Sequence, residues 1–269
     1  MPRHDSTTEA LSPVTNQPIE SIASDAAPDF HANSDEGLDA ALLNNPIWNA
    51  LCSKHRSLAL GDELAKRYPA DIGPLSGMRD ESSENYDALR TLAGPDGVVV
   101  LFLRQPPSPP PGWTLIRGGA LDQMICPTPV DIGQPALPPD ATLRPLTTAD
   151  VPAMLELTKL TEPGPFRDRT HELGAFFGIF HSGRLVAMAG QRLHLPRHVE
   201  VSAVCTHPDA RGRGYARILI SAAADEIRQR GKTPILHTFA DNHSAVRVYQ
   251  SLGFTHGRSF HLAVLRNDA

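Results

Sequence analysis

Near the C-terminus, Arg211-Gly212-Arg213-Gly214 alternates cations with positions that have no side chain. An apolar β-type run, Val199 to Cys205, leads in, and an amphipathic helical pattern from about Gly214 to Arg230 leads out. Strand, glycine-containing loop and helix start, in that order, turn successive N–H groups and the positive end of a helix dipole toward one point. That chemistry suits the grip of a phosphate or diphosphate. Gly212 and Gly214 let the backbone approach such a ligand closely, and Arg211, Arg213 and Arg217 add positive charge beside it.

A second set stands about 30 residues on, Asn242, Ala245, Tyr249 and Gly253-Phe254. Tyr249 shares a helical face with Ala245, Val248 and Leu252. From this face alone its phenol reads as a core group satisfied locally. Glu200 is the only acid in its apolar strand and lies eleven residues before Arg211. Two readings stay open for it. A partly buried carboxylate with a raised pKa suits a general base; a strand residue near the Pro196-Arg197 turn can equally face solvent. In the segment Leu160 to Arg169, Glu162 could attract a cationic amine and Arg167 or Arg169 could pair with a carboxylate, while Pro163 and Pro165 stiffen the loop. Cys205 reads as a small buried hydrophobe rather than a nucleophile. His194 and His198 are four apart, but Pro196 between them rules out a regular helix bearing two ligands, and no metal is expected.

These groups need a scaffold. Ala141 to Leu146 reads as a strand, Val151 to Leu160 as a helix behind the caps of Thr147 to Asp150, and Asp168 to Leu173 as a second short helix. Phe176 to Phe180 and Arg184 to His194 form a hairpin around Ser182-Gly183. Ile235 to Phe239 is a strand, the helix capped by Asp241 or Asn242 runs to Leu252, and Phe260 to Leu265 closes the chain. In the first half, Asn45-Pro-Ile-Trp48 opens a helix and Val98 to Leu103 is a buried strand. Trp113 to Ile116 and Leu121 to Cys126 read as two strands joined by a Gly118-Gly119 turn. Five prolines between Pro106 and Pro111 make an extended loop, and five between Pro127 and Pro139 a linker.

Residues 1 to about 40 are rich in Ser, Thr, Asp, Pro and Ala and are expected to be disordered. No apolar run reaches the roughly 18 residues of a membrane helix, and the N-terminus lacks a signal-peptide stretch, so a cytoplasmic protein is expected. The three cysteines form no metal or disulfide pattern. The net charge of −5 hides an asymmetry: residues 141–269 hold 16 Lys/Arg against 11 Asp/Glu. That basic half suits a small polyanion and is too weakly basic for nucleic acid.

The two sets, each in its expected context, resemble the GNAT superfamily of acyl-CoA-dependent N-acyltransferases. The family's cofactor pattern, Gln/Arg-x-x-Gly-x-Gly/Ala after a central strand, stands here as Arg211-Gly-Arg-Gly214-Tyr-Ala216, and its last helix as Asn242-x-x-Ala245-x-x-x-Tyr249-x-x-x-Gly253-Phe254. The resemblance covers about residues 141–269. It implies an α/β fold with a mixed, mostly antiparallel sheet flanked by helices. It also implies a division into a 1–40 tail, a 41–130 α+β part, a 131–140 linker and the 141–269 acyltransferase domain. The 41–130 part is either a degenerate GNAT-like repeat or an unrelated cap over the acceptor pocket.

By the same resemblance, acetyl-CoA is the cosubstrate. It would be held by Val204, Cys205 and Thr206 on a splayed central strand, by Arg211, Gly212, Arg213, Gly214, Tyr215 and Ala216 in the loop and helix start, and by Asn242 and Ala245 opposite. Tyr249 would protonate the leaving thiolate, and Glu200 or a water would deprotonate the acceptor, a primary amine of a small molecule. The rival readings are an acyl-CoA sensor without turnover and a nucleic-acid-associated interaction module.

Overall fold

Alternating and continuous apolar runs give strands, and their registers set the site. The structure is a computed structural model that describes residues 34–128, 130 and 137–268. Helix α1 (Ser34–Asn44) is followed by α2 (Pro46–Cys52), with Pro46 in the first turn, where no intrahelical N–H is needed. Strands β1 (Leu60–Gly61), β2 (Ala65–Arg67) and β3 (Ser76–Met78) make a small antiparallel sheet, and α3 (Ser83–Ala93) packs on it. Next come β4 (Val98–Leu103), β5 (Trp113–Ile125), β6 (Ala141–Pro145), α4 (Val151–Thr161), a 3-10 turn (Thr170–Leu173), β7 (Phe176–His181), β8 (Arg184–His194) and β9 (His198–Thr206). Helix α5 (Tyr215–Gln229), β10 (Thr233–Phe239), α6 (His243–Ser251) and β11 (Thr255–Asn267) complete the chain.

Strands β4 to β11 form one eight-stranded sheet in the order β4-β11-β5-β10-β9-β8-β7-β6. All neighbours are antiparallel except β9 and β10. The strands on either side of residues 131–140 therefore share one sheet: β11 lies between β4 and β5, and both ladders reach from one half of the chain into the other. One sheet face packs α5 and α6 against Val199, Val201 and Leu236. Ile220, Ala223 and Ile227 supply the α5 stripe, and all are essentially inaccessible. Each of the two isoleucines contributes about 1.5–3 kcal/mol by leaving water, so a charge at Ile227 would open this layer. The opposite face packs α4 against Met188 and Cys205, and α1 and α2 against Leu121, Ile235 and Phe260.

Two expectations are corrected. Gly118-Gly119 is not a hairpin turn: β5 runs unbroken from Trp113 to Ile125, with Gly118 opposite Ala263 and Gly119 opposite Leu262. Glycine suits position 119 because a Cβ would lie 3.0 Å from the Phe239 ring, tighter than ordinary contact. Gly119 thus serves a close approach, and the pair makes no turn. Nor does the expected tail extend to residue 40, since α1 begins at Ser34. Leu43 is buried, and Arg258 donates to the Ala40 carbonyl (2.8 Å) and to Asn44 Oδ1, holding the helix from outside. The rest of the tail, and most of the linker, lie outside the described residues.

Candidate active site

The parallel pairing of β9 with β10 spans only His198 opposite Thr233, Val199 opposite Pro234 and Glu200 opposite Ile235. Beyond that point the strands separate. From Val201 to Thr206, β9 is paired with β8 alone, and from Leu236 to Phe239, β10 is paired with β5 alone. Between the two lies a cleft lined by strand backbone. Its β9 wall contains a bulge: Ala203 and Val204 stand against the single residue Ala189, and Ala203 adopts φ +53°. The extra residue shifts the side-chain alternation. Val204 thereby joins Val199 and Val201 on the α5–α6 face, and Cys205 packs with Met154 and Leu157 of α4. Burial pushes the Cys205 thiol up to about 11, so it is no nucleophile.

At the end of the free edge, Thr206 leads into the glycine loop. Gly212 and Gly214 both have φ +76°, a left-handed conformation costly for other residues, and neither has an atom within 4 Å of where a Cβ would stand. Gly214 caps α5, whose first bond into the loop is Ile218 N–H to the Gly214 carbonyl. Among the described residues, the N–H groups of Gly212, Arg213, Gly214, Tyr215, Ala216 and Arg217 have no acceptor. Six consecutive free donors at an exposed helix start have the chemistry that suits an anion. Arg211 bends back to the Thr206 carbonyl (3.4 Å), while the side chains of Arg213 and Arg217 are exposed. Tyr215 is buried, so it offers an anion its N–H and not its ring.

Across the cleft, Asn242 caps α6, its Oδ1 accepting from Ala245 N–H at 3.2 Å and from the Ser244 hydroxyl at 3.0 Å. Its side-chain NH2 makes no hydrogen bond among the described residues. Two turns on, the Tyr249 ring lies in one apolar cluster with Val204 of β9 and Ala216 of α5, edge-on to Phe254 at 6.2 Å. Its hydroxyl has no hydrogen-bond partner among the described residues. Burial, helped by the charge of Glu200, pushes this phenol up to about 12. It is therefore protonated throughout the neutral range.

Glu200, at the fork of the cleft, departs from both expectations. It is fully buried, not solvent-facing, and its pKa is not raised. Burial alone would lift it, but Arg192 and His237 outweigh that and hold the carboxyl at about 2. Arg192 donates Nε to Oε2 (2.8 Å) and Nη2 to Oε1 (2.6 Å), and His237 donates Nδ1–H to Oε1 (2.7 Å). That bond fixes the histidine tautomer, so Nε2 accepts from the Gln123 amide at 3.0 Å. His237 is wedged between Phe102 (4.9 Å) and Phe260 (5.8 Å). A carboxylate so engaged is a weak proton acceptor and a strong brace.

Arg192, His237 and Gln123 are absent from the sequence reading. A signal existed for the first: Arg192 and Glu200 lie symmetrically about the Pro196-Arg197 turn, as opposite charges across one hairpin should. Of the acceptor-loop candidates, Arg169 is occupied by Glu172 (2.8 Å) and Asp71 (3.1 Å), while Glu162 and Arg167 are exposed at the rim. The Arg169–Asp71 pair, with Thr170 Oγ1 donating to the Ile72 carbonyl at 2.6 Å, fastens the loop to the first half of the chain.

This architecture has known counterparts. The FR47-like protein family profile matches residues 176–260. A mycothiol acetyltransferase of Saccharopolyspora erythraea is 27% identical over 159 residues, 53% of this chain and 52% of the relative. The chain thus spans about half the length of that relative. The ribosomal protein bS18 alanine N-acetyltransferase of Salmonella typhimurium is 27% identical over 42% of this chain and 80% of its own. A crystal structure of a GNAT-family protein of Novosphingobium aromaticivorans aligns with a TM-score of 0.76 and 36% identity, covering 84% of this chain and 99% of that one. An identity of that size over nearly the whole of a relative, on top of the parted strands and the glycine loop, shows that this chain belongs to the GNAT family.

Proposed function

We propose that the protein transfers an acetyl group from acetyl-CoA to a primary amine of a small molecule. The observation that carries this reading is the parting of β9 from β10 immediately before six unbonded N–H groups. A thioester with a diphosphate at its far end needs both features: an open strand edge for the amide-bearing arm and an anion seat where the strand ends. The donors of Gly212 to Arg217, with the arginines beside them, would take the diphosphate. The free main chain of Val204 to Thr206 would pair with the arm, and the unused NH2 of Asn242 is available from the other wall.

The amine nitrogen attacks the thioester carbonyl, the C–N bond forms, and the C–S bond breaks. A backbone N–H on the free β9 edge near Val204 steadies the oxygen as charge builds there, a contribution of about 3–4 kcal/mol for one such donor. Tyr249 hands its proton to the departing sulfur, a transfer supported by a phenol that stays protonated and has no competing hydrogen bond. Water in the cleft takes the proton of the amine, since both oxygens of Glu200 are engaged.

Residues 41–130 act in this reading as the wall that closes the acceptor side, through the contacts of Asp71 and Ile72 with the Arg169-Thr170 segment. No described helix is long and apolar enough to cross a membrane. The three free cysteines suit a reducing cytoplasm, the compartment assigned here. Incubation with acetyl-CoA and a panel of amines, read as release of free CoA thiol, tests the proposal. Turnover with at least one amine is expected. Tight acetyl-CoA binding with no turnover on any amine would make the protein a sensor instead.

A further inference from the structure

Arg192 forms the wall between two cavities. One is a cleft that opens between the Pro163–Phe166 loop and the bulge residues Ser202 and Ala203, beside the free edge of β9. The other reaches from Arg192 to Tyr68 and Leu75 in the first half of the chain. Most polar groups around them are already engaged. Thr170 Oγ1 donates to the Ile72 carbonyl and accepts from Arg167 N–H (2.7 Å). Gln191 accepts from Ala175 N–H and donates to Glu226, and the Tyr68 hydroxyl is bonded to His55 Nδ1 (2.7 Å). The Ser202 hydroxyl and the outer edge of the Arg192 guanidinium have no partner among the described residues.

The shape of that outer edge is specific. Glu200 takes Nε and one hydrogen of Nη2, the side-on pairing. Nη1 and the second hydrogen of Nη2 remain, two parallel N–H bonds in the fork that a carboxylate accepts bidentately. Nη1 is not among the sealed, unsatisfied buried atoms, and Arg192 lines the cleft. No Asp or Glu lines either cavity, so a polyamine or other polycation would find no counter-charge. An amino-carboxylate would find one in the Arg192 guanidinium.

We infer that the acceptor is a small amine that also carries a carboxylate, received by the free edge of Arg192 while Glu200 holds the guanidinium in place. The inference rests on the acetyltransferase reading and narrows it. Arg192 is then a specificity residue, and Glu200 and His237 position it.

The experiment compares amino acids with their own amides and with the decarboxylated amines, using free-thiol release on the full chain. For the best amino acid, kcat/KM is expected to exceed that of its decarboxylated amine by about 10-fold or more, with the amide between them. Arg192→Lys, which keeps the charge but not the fork, should lower that ratio by about 10-fold and leave acetyl-CoA affinity unaltered. Decarboxylated amines that turn over as well as amino acids on the natural chain would overturn the inference and leave the acetyltransferase reading standing. So would a preference that survives Arg192→Lys. If no amine turns over while acetyl-CoA binds, both fall. Should Arg192→Lys lose acetyl-CoA binding, the comparison on the natural chain decides alone.

Discussion

Glu200 and Arg192 face each other across the β8–β9 ladder, joined by hydrogen bonds of 2.8 and 2.6 Å. His237 closes the set from β10 at 2.7 Å. The trio sits where β9 and β10 part, so three strands are tied together at the fork of the cleft. A buried ion pair is weak evidence of net stability, but breaking one is costly because the survivor is left desolvated. The acid whose spacing suggests a base is thus a brace for an arginine.

Glu200→Ala is expected to destabilise the fold by about 3–5 kcal/mol, since it leaves Arg192 without its buried partner. The isosteric Glu200→Gln should cost less and isolate the proton linkage. The folded carboxyl titrates near 2, below its ordinary 4.5. Its contribution is therefore present above pH 4.5 and lost as pH falls from there toward 2. Thermal melts between pH 7 and 3 should show the natural chain losing more stability on acidification than Glu200→Gln. Parallel losses would contradict the pairing. In the range pH 5 to 9 the two pH–rate profiles should have the same shape, because Glu200 does not titrate there.

Tyr249→Phe removes a hydroxyl that bonds to nothing among the described residues, so stability and acetyl-CoA affinity should stay within experimental error. The turnover number should drop about 100-fold or more, the usual scale of a lost general acid. With the phenol at about 12, the natural enzyme should show no alkaline loss of activity from this group below about pH 10. Steady-state kinetics with a calorimetric control settles it, and a fully active phenylalanine variant removes Tyr249 from the chemistry.

Gly119→Val should destabilise the fold by about 1–3 kcal/mol, because a side chain there meets the Phe239 ring at 3.0 Å from its first carbon. A hairpin turn at this position would respond differently, losing activity of the whole sheet register rather than a local contact. Urea unfolding with an unchanged slope and an earlier midpoint is the expected result.

The features legible in sequence are the local ones. Gly212 and Gly214 announce a left-handed loop by type, and the spacing from Asn242 to Tyr249 announces one helix face; the structure has both. Long-range features were not legible. Gly118-Gly119 looks like a turn to any local rule, while its reason lies in Phe239, some 120 residues away. The parting of β9 and β10 is a matter of register between strands separated by a helix, and the family resemblance, not the residues, suggested it. The bracing of Glu200 depends on Arg192 and His237 on two different strands: hairpin symmetry about Pro196 carries a signal for Arg192, but no local spacing points to His237. Helix α1 is held by Leu42 and Leu43 in the core and by Arg258 from the last strand.

In the proposed function, the six free N–H groups of Gly212 to Arg217 hold a diphosphate. Calorimetric titration of the natural chain and of Gly214→Asp with acetyl-CoA, and with an acetylated pantetheine lacking the nucleotide and its phosphates, tests it most directly. Gly214→Asp places a carboxylate and a disfavoured φ of +76° at the seat, so acetyl-CoA affinity should fall by about 10-fold or more, and the truncated thioester should bind both chains equally weakly. Unchanged acetyl-CoA affinity in Gly214→Asp, or a truncated thioester that binds as tightly as acetyl-CoA, would contradict the account.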